Sequence, residues 1–447
     1  MKLKYKLIGY SGILLLTACG PSKKIQTVIL QKPADTVIQK DTIRNNVILE
    51  TDPARTDLFF TDILKQYPQY FDTVLKNKKT WNVQIIYTEI NRDKHNNPSF
   101  RDYYFNVDSS KYFYPASTVK LPTALLALQR LQELRNTGIT KNTTMITEAA
   151  YSGQTATYND PQTPDGRPTI ESYIRRIFLV SDNEAFNRLY EFLGQQYIND
   201  QLHNKGYTDA QVLHRLDVFL SEDENRHTNP VKFLDNNNNI LYSQPLVLNE
   251  ASYAERHDTL GEAHFSNGQL INNPMNFSKK NRIGLEDLHQ ILRSVIFPNT
   301  VPEKQRFNIP DSDYAFVYKY MSQFPGETIY PSYDSINYPD AYGKFLLYGS
   351  QKAPLPKNIR IFNKEGDAYG ELVDIAYVVD FDKKVEFFLS AAINCNTDGI
   401  VNDDKYDYDS IGFPFMKNLG QAIYNYELKR KKTYQPDLSS FKIYYDK

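Results

Sequence analysis

Residues 112–134 read YFYPASTVKLPTALLALQRLQEL: an aromatic run, then a serine, then a nearly unbroken apolar segment. Thr118–Leu134 is predicted to be a strongly apolar helix, with Pro122 in its first turn, where proline is tolerated. Ser117 and Lys120 form an S-x-x-K at the helix start. Positions i and i+3 share one helix face, so the hydroxyl and the amine can meet. A helix start also offers unpaired backbone N–H groups and positive potential, which suit a developing oxyanion. The spacing alone is a weak signal, since Ser439 to Lys442 repeats it in the polar C-terminal tail. Position favours Ser117, which opens an apolar helix.

Outward from this helix, apolar residues at helical spacing run from Asp57 to Lys76, with Pro68 set to kink or split them. Asn82–Glu89 and Arg101–Val107 read as a strand hairpin around the polar turn Asn91–Asn97. Thr169–Leu179 and Glu184–Leu193 read as helices. Strands return late, at Ile359–Asn363, Leu372–Asp380 and Val385–Ile393, before a helix over Pro414–Lys429. Strands at both ends with helices between predict an α/β (α+β) fold. One antiparallel sheet comes from both termini of the domain, with flanking helices and an inserted all-helical subdomain. Asp235–Asn239 (DNNNN) reads as a loop tip, and residues 235–281 as an insertion of irregular and hairpin structure.

Two further motifs stand out. Ser181-Asp182-Asn183 lies between two predicted helices, where it can cap the second and also point into a cleft. Lys364-Glu365-Gly366 closes a predicted strand, where a lysine is ordinarily just solvated. In order, S-x-x-K, S-D-N and K-x-G resemble the class A β-lactamase and penicillin-binding-protein family of serine hydrolases. The resemblance spans roughly residues 57–430. Ser117 and Ser181 are 64 residues apart, near the family interval, whereas Ser181 and Lys364 are 183 apart, which is longer. His214-Arg215-Leu216-Asp217 looks like the family's entrance to its omega loop, and Arg282–Phe297 like the helix that follows.

The resemblance implies a set of roles. Ser117 is the nucleophile that forms an acyl-enzyme. Lys120 is its candidate base, with a pKa depressed by burial and by a second cation, Lys364. Ser181 relays a proton to the leaving nitrogen, and Asn183 holds the substrate amide. Glu365, Gly366 and Asp367 line the substrate side, and the N–H groups of Ser117 and Asp367 form the oxyanion hole.

Three departures qualify this picture. Leu220 stands where family β-lactamases carry the deacylating Glu. The nearest carboxylates are Glu222, Asp223 and Glu224, and Glu222 is the candidate shifted base. Glu365 replaces the usual Thr or Ser, a charge expected to repel an anionic substrate. No Arg occurs from Gly366 to Cys395, where many relatives keep a carboxylate-binding one. The expectation is a hydrolase of β-lactams or of cell-wall-type peptides or esters, with weak β-lactamase activity. The alternative is a peptidoglycan- or glycan-binding lipoprotein on a decayed hydrolase fold.

Composition agrees. The 447 residues carry 52 basic against 53 acidic side chains, and no basic stripe suggests a nucleic-acid partner. The 34 tyrosines and 25 phenylalanines can fill a core or line a groove. No HExxH pair or His/Cys cluster suggests a metal, and no cofactor motif is present. Residues 1–18 read as a signal peptide: a basic start, a short apolar stretch, then Leu16-Thr17-Ala18-Cys19. This resembles a lipobox, whose Cys19 would be lipidated, leaving Cys395 without a disulfide partner. Residues 19–56 read as the lipidated Cys and a flexible tether, 57–435 as the hydrolase domain, and 436–447 as a tail. The implied location is the cell envelope, lipid-anchored at the periplasmic face of the outer membrane. Membrane contact would be through the anchor, and the remaining partner a small-molecule or cell-wall peptide substrate.

Overall fold

The computed structural model describes residues 54–447; the predicted signal peptide, Cys19 and nearly all of the tether lie outside the described residues. A five-stranded sheet organises the fold. Its spatial order is Ile359–Ala368, Glu371–Asp380, Val385–Asn394, Gln84–Arg92, Pro98–Phe105, and every pairing is antiparallel. The N-terminal hairpin therefore closes onto the last C-terminal strand, with Ile86 opposite Ser390.

The strand Glu371–Asp380 is buried along its whole length. Val373, Ile375, Tyr377 and Val379 enter one core, while Leu372, Ala376 and Val378 enter the other. Successive side chains point to opposite faces, so a strand covered on both sides reads as a continuous apolar run rather than an alternation. On one face lie the helices Leu58–Lys65, Pro68–Lys76 and Phe413–Lys429. The Asp57–Lys76 segment does split: Pro68 is the first residue of the second helix, where its missing N–H costs nothing. The other face carries the larger core, built from helices Lys120–Glu133, Ile170–Val180, Asn183–Leu193, Leu285–Ile296 and Asp311–Ser322.

The inserted region differs from the all-helical expectation. Thr144–Thr147, Val231–Leu234 and Ile240–Gln244 form a small antiparallel sheet. Asp235–Asn239 is its turn, where the Asp235 carboxylate accepts the N–H groups of Asn237 and Asn239 at 2.8 Å each. Further along, Ala263–Ser266 pairs with Gln269–Ile271 and, in parallel, with Ile400–Val401. Strands this short carry too few alternating positions for periodicity to register. The helix Asp311–Ser322 was also not predicted, because its buried stripe is mostly Tyr314, Val317, Tyr320 and Met321 interleaved with polar residues.

The last residues are not a detached tail. Leu438 and Phe441 are buried, and the Phe441 ring meets Tyr377 at 5.1 Å, Phe362 at 5.6 Å and Tyr318 at 5.8 Å. Truncating a buried phenylalanine typically costs about 3–5 kcal/mol. Phe441→Ala is expected to lower stability by that amount in urea unfolding. An unchanged midpoint would show that the segment does not hold the sheet.

Candidate active site

Ser117 sits in a single 3-10 turn, Ala116–Val119, that runs into the helix Lys120–Glu133. Ala116 has φ +46°, a left-handed conformation that a residue with a Cβ seldom adopts. The turn is fixed from below: Thr118 donates to the Pro115 carbonyl through its hydroxyl at 2.6 Å and through its N–H at 3.0 Å. Behind it, Leu121, Ala124, Leu125 and Leu128 are wholly buried. The turn is thus presented by a rigid helix at a cleft of about 530 Å³, whose wall includes Asn183, Asp217 and Asp367.

Both motif lysines converge beneath this cleft. Lys120 is fully buried; its Nζ donates to Asn183 Oδ1 at 2.6 Å, to Ser181 Oγ at 3.4 Å and to the Ser181 carbonyl. Lys364, also fully buried, donates to Ser181 Oγ at 2.9 Å and to Glu365 Oε1 at 2.7 Å. One hydroxyl oxygen therefore accepts from two lysine amines, which leaves its own proton free to be donated elsewhere. Ser181 reaches this position by adopting φ +56° at the end of the helix Ile170–Val180. Its neighbour Asp182 caps the next helix, accepting the Ala185 N–H at 2.8 Å. The S-D-N triplet both caps a helix and serves the cleft.

The electrostatics follow from this crowding. Burial, then the charge of Lys364, hold the Lys120 amine well below the ordinary lysine range. For Glu365, burial favours the neutral acid, but Lys364 and then Lys344 outweigh it and keep the carboxyl below its usual value. Deeper still, burial pushes Lys344 down to about 8 and Asp374 up to about 7; these two are joined through Asn363, which accepts from Lys344 at 2.7 Å and donates to Asp374 at 2.8 Å. Glu365 therefore corrects the sequence expectation. Its carboxylate is buried against Lys364 and does not form the cleft wall, so it is not placed to repel a substrate.

The strand Ile359–Ala368 is the free edge of the sheet, and it meets the serine turn here. A two-residue turn, Tyr369 (φ +57°) and Gly370 (φ +84°), joins it to its neighbour. Ala368 and Glu371 close that turn as a hydrogen-bonded pair, so the alternation of antiparallel ladders turns the Asp367 N–H away from the sheet. Ser117 lies in the first turn of its helix, where N–H groups lack helical partners. Gly366 lets the two segments touch: a Cβ there would lie 2.6 Å from the Ser117 nitrogen and 3.0 Å from Ala116 Cβ. The backbone of Gly366 is thus brought against that of Ser117, with Asp367 the next residue along the strand.

The omega-loop segment is held by buried polar contacts. Arg215 donates to Glu191 at 3.0 Å, and Asn187 brackets Leu216 by accepting its N–H at 2.8 Å and donating to its carbonyl at 2.9 Å. Asp217 then reaches the cleft, 3.5 Å from the Asn183 amide nitrogen. The structure does not bring Glu222 to Ser117. Glu222 pairs with Arg226 at 3.3 Å and Lys279 at 3.5 Å, on a neighbouring cavity that it shares with Leu220. Asp223 accepts from the Tyr151 hydroxyl at 2.6 Å, and Glu224 completes a capping box with Ser221. The sequence reading also missed one wall of the cleft: Tyr369, Asn402, Asp404, Tyr406 and Tyr408. Nothing periodic marks these loop residues. The absence of an Arg between 366 and 395 was the only hint that this wall departs from the pattern.

Gly366→Ala is expected to displace the serine turn and reduce any Ser117 acylation at least a hundredfold while the fold persists. Covalent labelling by intact-mass spectrometry, alongside circular dichroism, checks this. Wild-type labelling would show that the close approach is dispensable.

A family model described as the beta-lactamase enzyme family matches residues 68–304. No curated protein matches the chain. Similar solved structures include a beta-lactamase from Sphaerobacter thermophilus, at 11% identity and TM-score 0.44, covering 83% of this chain and 98% of that one. PBP-A matches at 15% identity and TM-score 0.42, covering 83% and 97%. A class A beta-lactamase from Clostridium kluyveri matches at 15% identity and TM-score 0.42, covering 80% and 98%. Since the family model spans more than half of its length, and since the ordered motifs meet in one cleft, this chain belongs to the beta-lactamase enzyme family.

Proposed function

We propose that the protein is a serine hydrolase that forms an acyl-enzyme on Ser117. The observation that carries this reading is the convergence of Lys120 and Lys364 on the Ser181 hydroxyl under the Ser117 cleft. In its neutral form Lys120 takes the Ser117 proton as Oγ bonds to the substrate carbonyl carbon. The N–H groups of Ser117 and Asp367 stabilise the oxyanion. As the carbonyl reforms, the bond to the leaving atom breaks. Ser181 gives that atom its proton and recovers one from Lys120. Water then hydrolyses the ester.

The residues gathered at the cleft support the acylation half. The deacylation half lacks its usual carboxylate, since position 220 is Leu and the carboxylates of 222–224 are engaged elsewhere. The substrates this fits are β-lactams or cell-wall-type peptides or esters, with slow release of a β-lactam-derived acyl group.

A fluorescent penicillin or a fluorophosphonate is expected to label the wild type and not Ser117→Ala. Steady-state nitrocefin turnover is expected to be slow, with acyl-enzyme accumulating. An unlabelled but folded wild type would favour a binding module on an inactive hydrolase fold. Fast nitrocefin hydrolysis would contradict the slow-release reading.

A further inference from the structure

We infer that the Ser117 cleft selects a cationic acyl donor, one that carries an amine within a few atoms of the reacting carbonyl. The inference rests on the acyl-enzyme reading above and specifies its substrate class. Among the described residues, three carboxylates line the cleft, Asp217, Asp367 and Asp404, and no lysine, arginine or histidine does. The two lysines nearby lie beneath the wall, committed to Ser181, Asn183 and Glu365. The charge of Lys364 is already matched by Glu365.

The acidic wall is short of partners. Asp217 takes one long contact from Asn183, at 3.5 Å. Among the described residues, the carboxylates of Asp367 and Asp404 have no hydrogen-bond or ion-pair partner. Asp367 is solvent-accessible in the cleft, yet the protein packed around it, then the charge of Glu365, raise its carboxyl above the usual range. Lys364 and Lys120 act on it in the opposite sense, but from beneath the wall and bonded to other groups, so the open side of the carboxylate is free to receive an ammonium.

The tyrosines add a second, independent feature. Tyr406 accepts the Asn402 N–H at 2.7 Å and Tyr408 accepts the Gly370 N–H at 3.0 Å, so their hydroxyls are engaged in holding the wall together. With Tyr114 and Tyr369 they make four tyrosines among the residues that line the cleft. Aromatic rings beside carboxylates attract ammonium groups through ring quadrupole and charge together. The wall is also braced. Asn402 donates to the Phe265 carbonyl at 3.0 Å, and Ile400–Val401 pairs with the insertion strand Ala263–Ser266. The insertion therefore holds Asn402 and Asp404 in place, which gives that segment a role. An anionic substrate, a penicillin included, would bring its carboxylate against this wall with no lining cation among the described residues to receive it, which is expected to slow its acylation of Ser117 without abolishing it.

The test uses the full chain and three matched alanine thioesters: one with a free amine, one N-acetylated, one N-succinylated. The expected kcat/KM favours the free amine over the succinyl ester by at least tenfold, with the acetyl ester between. Asp404→Asn should reduce that ratio, and Asp367→Asn with Asp404→Asn should bring it within about threefold of unity. Neutral fluorophosphonate labelling is followed in parallel. Labelling of Ser117 with equal or reversed charge preference would overturn this inference alone. A preference that survives both substitutions would do the same, since the wall would not be its source. Absence of labelling and of thioester turnover in folded wild type would overturn the acyl-enzyme reading and this inference with it.

Discussion

Two buried lysine amines share one hydroxyl oxygen, and the site is organised around that contact. Placing a lysine out of water costs several kcal/mol unless its donors are met. Lys120 meets that cost with three acceptors, two of them from Ser181. Lys364 meets it with Glu365 and the same hydroxyl. Both solutions require Ser181 to leave its helix in a left-handed conformation. They also require the helix Asn183–Leu193 to begin where it does, so that Asn183 can accept from Lys120. The unusual Glu365 has a physical place in this scheme: it balances a second buried cation where the fold has put two close together.

The sheet edge supplies the other half of the geometry. An edge strand has a free side, and here that side faces the first turn of a helix instead of another strand. Gly366 allows backbone to approach backbone closely there, since a Cβ would lie 2.6 Å from the Ser117 nitrogen. The sheet carries a core on each face, and the C-terminal Phe441 is part of the larger one.

Much of this was legible in the sequence, for identifiable reasons. The strands Glu371–Asp380 and Val385–Asn394 were legible to within a residue because burial on both faces makes them largely apolar, whereas the first strand runs five residues past its expected end at Asn363, through the buried Lys364 and Glu365. Helix 120–133 read correctly because its residues are nearly all buried. The motifs Ser117-Lys120, Ser181-Asn183 and Lys364-Gly366 were found by residue type and order, and the structure brings them together. What the sequence did not show lies in contacts that leave no periodic trace. The fate of Glu365 depended on Lys364 and Lys344 facing it from two segments. That Glu222 stands away from Ser117 depended on Arg226 and Lys279. Asp404, Tyr406 and Tyr408 of the cleft wall come from a loop, 396–408, held by an insertion more than a hundred residues earlier. The C-terminal residues read as polar although Leu438 and Phe441 are core.

The central claim is that burial beside Lys364 makes Lys120 a usable base for Ser117. The most direct measurement is an NMR titration of the Lys120 side chain in wild type and in Lys364→Met, with folding confirmed for both. The account predicts a midpoint well below 10.5 in the wild type, and an upward shift when Lys364 is removed. A wild-type midpoint near the ordinary lysine value, unmoved by Lys364→Met, would contradict it.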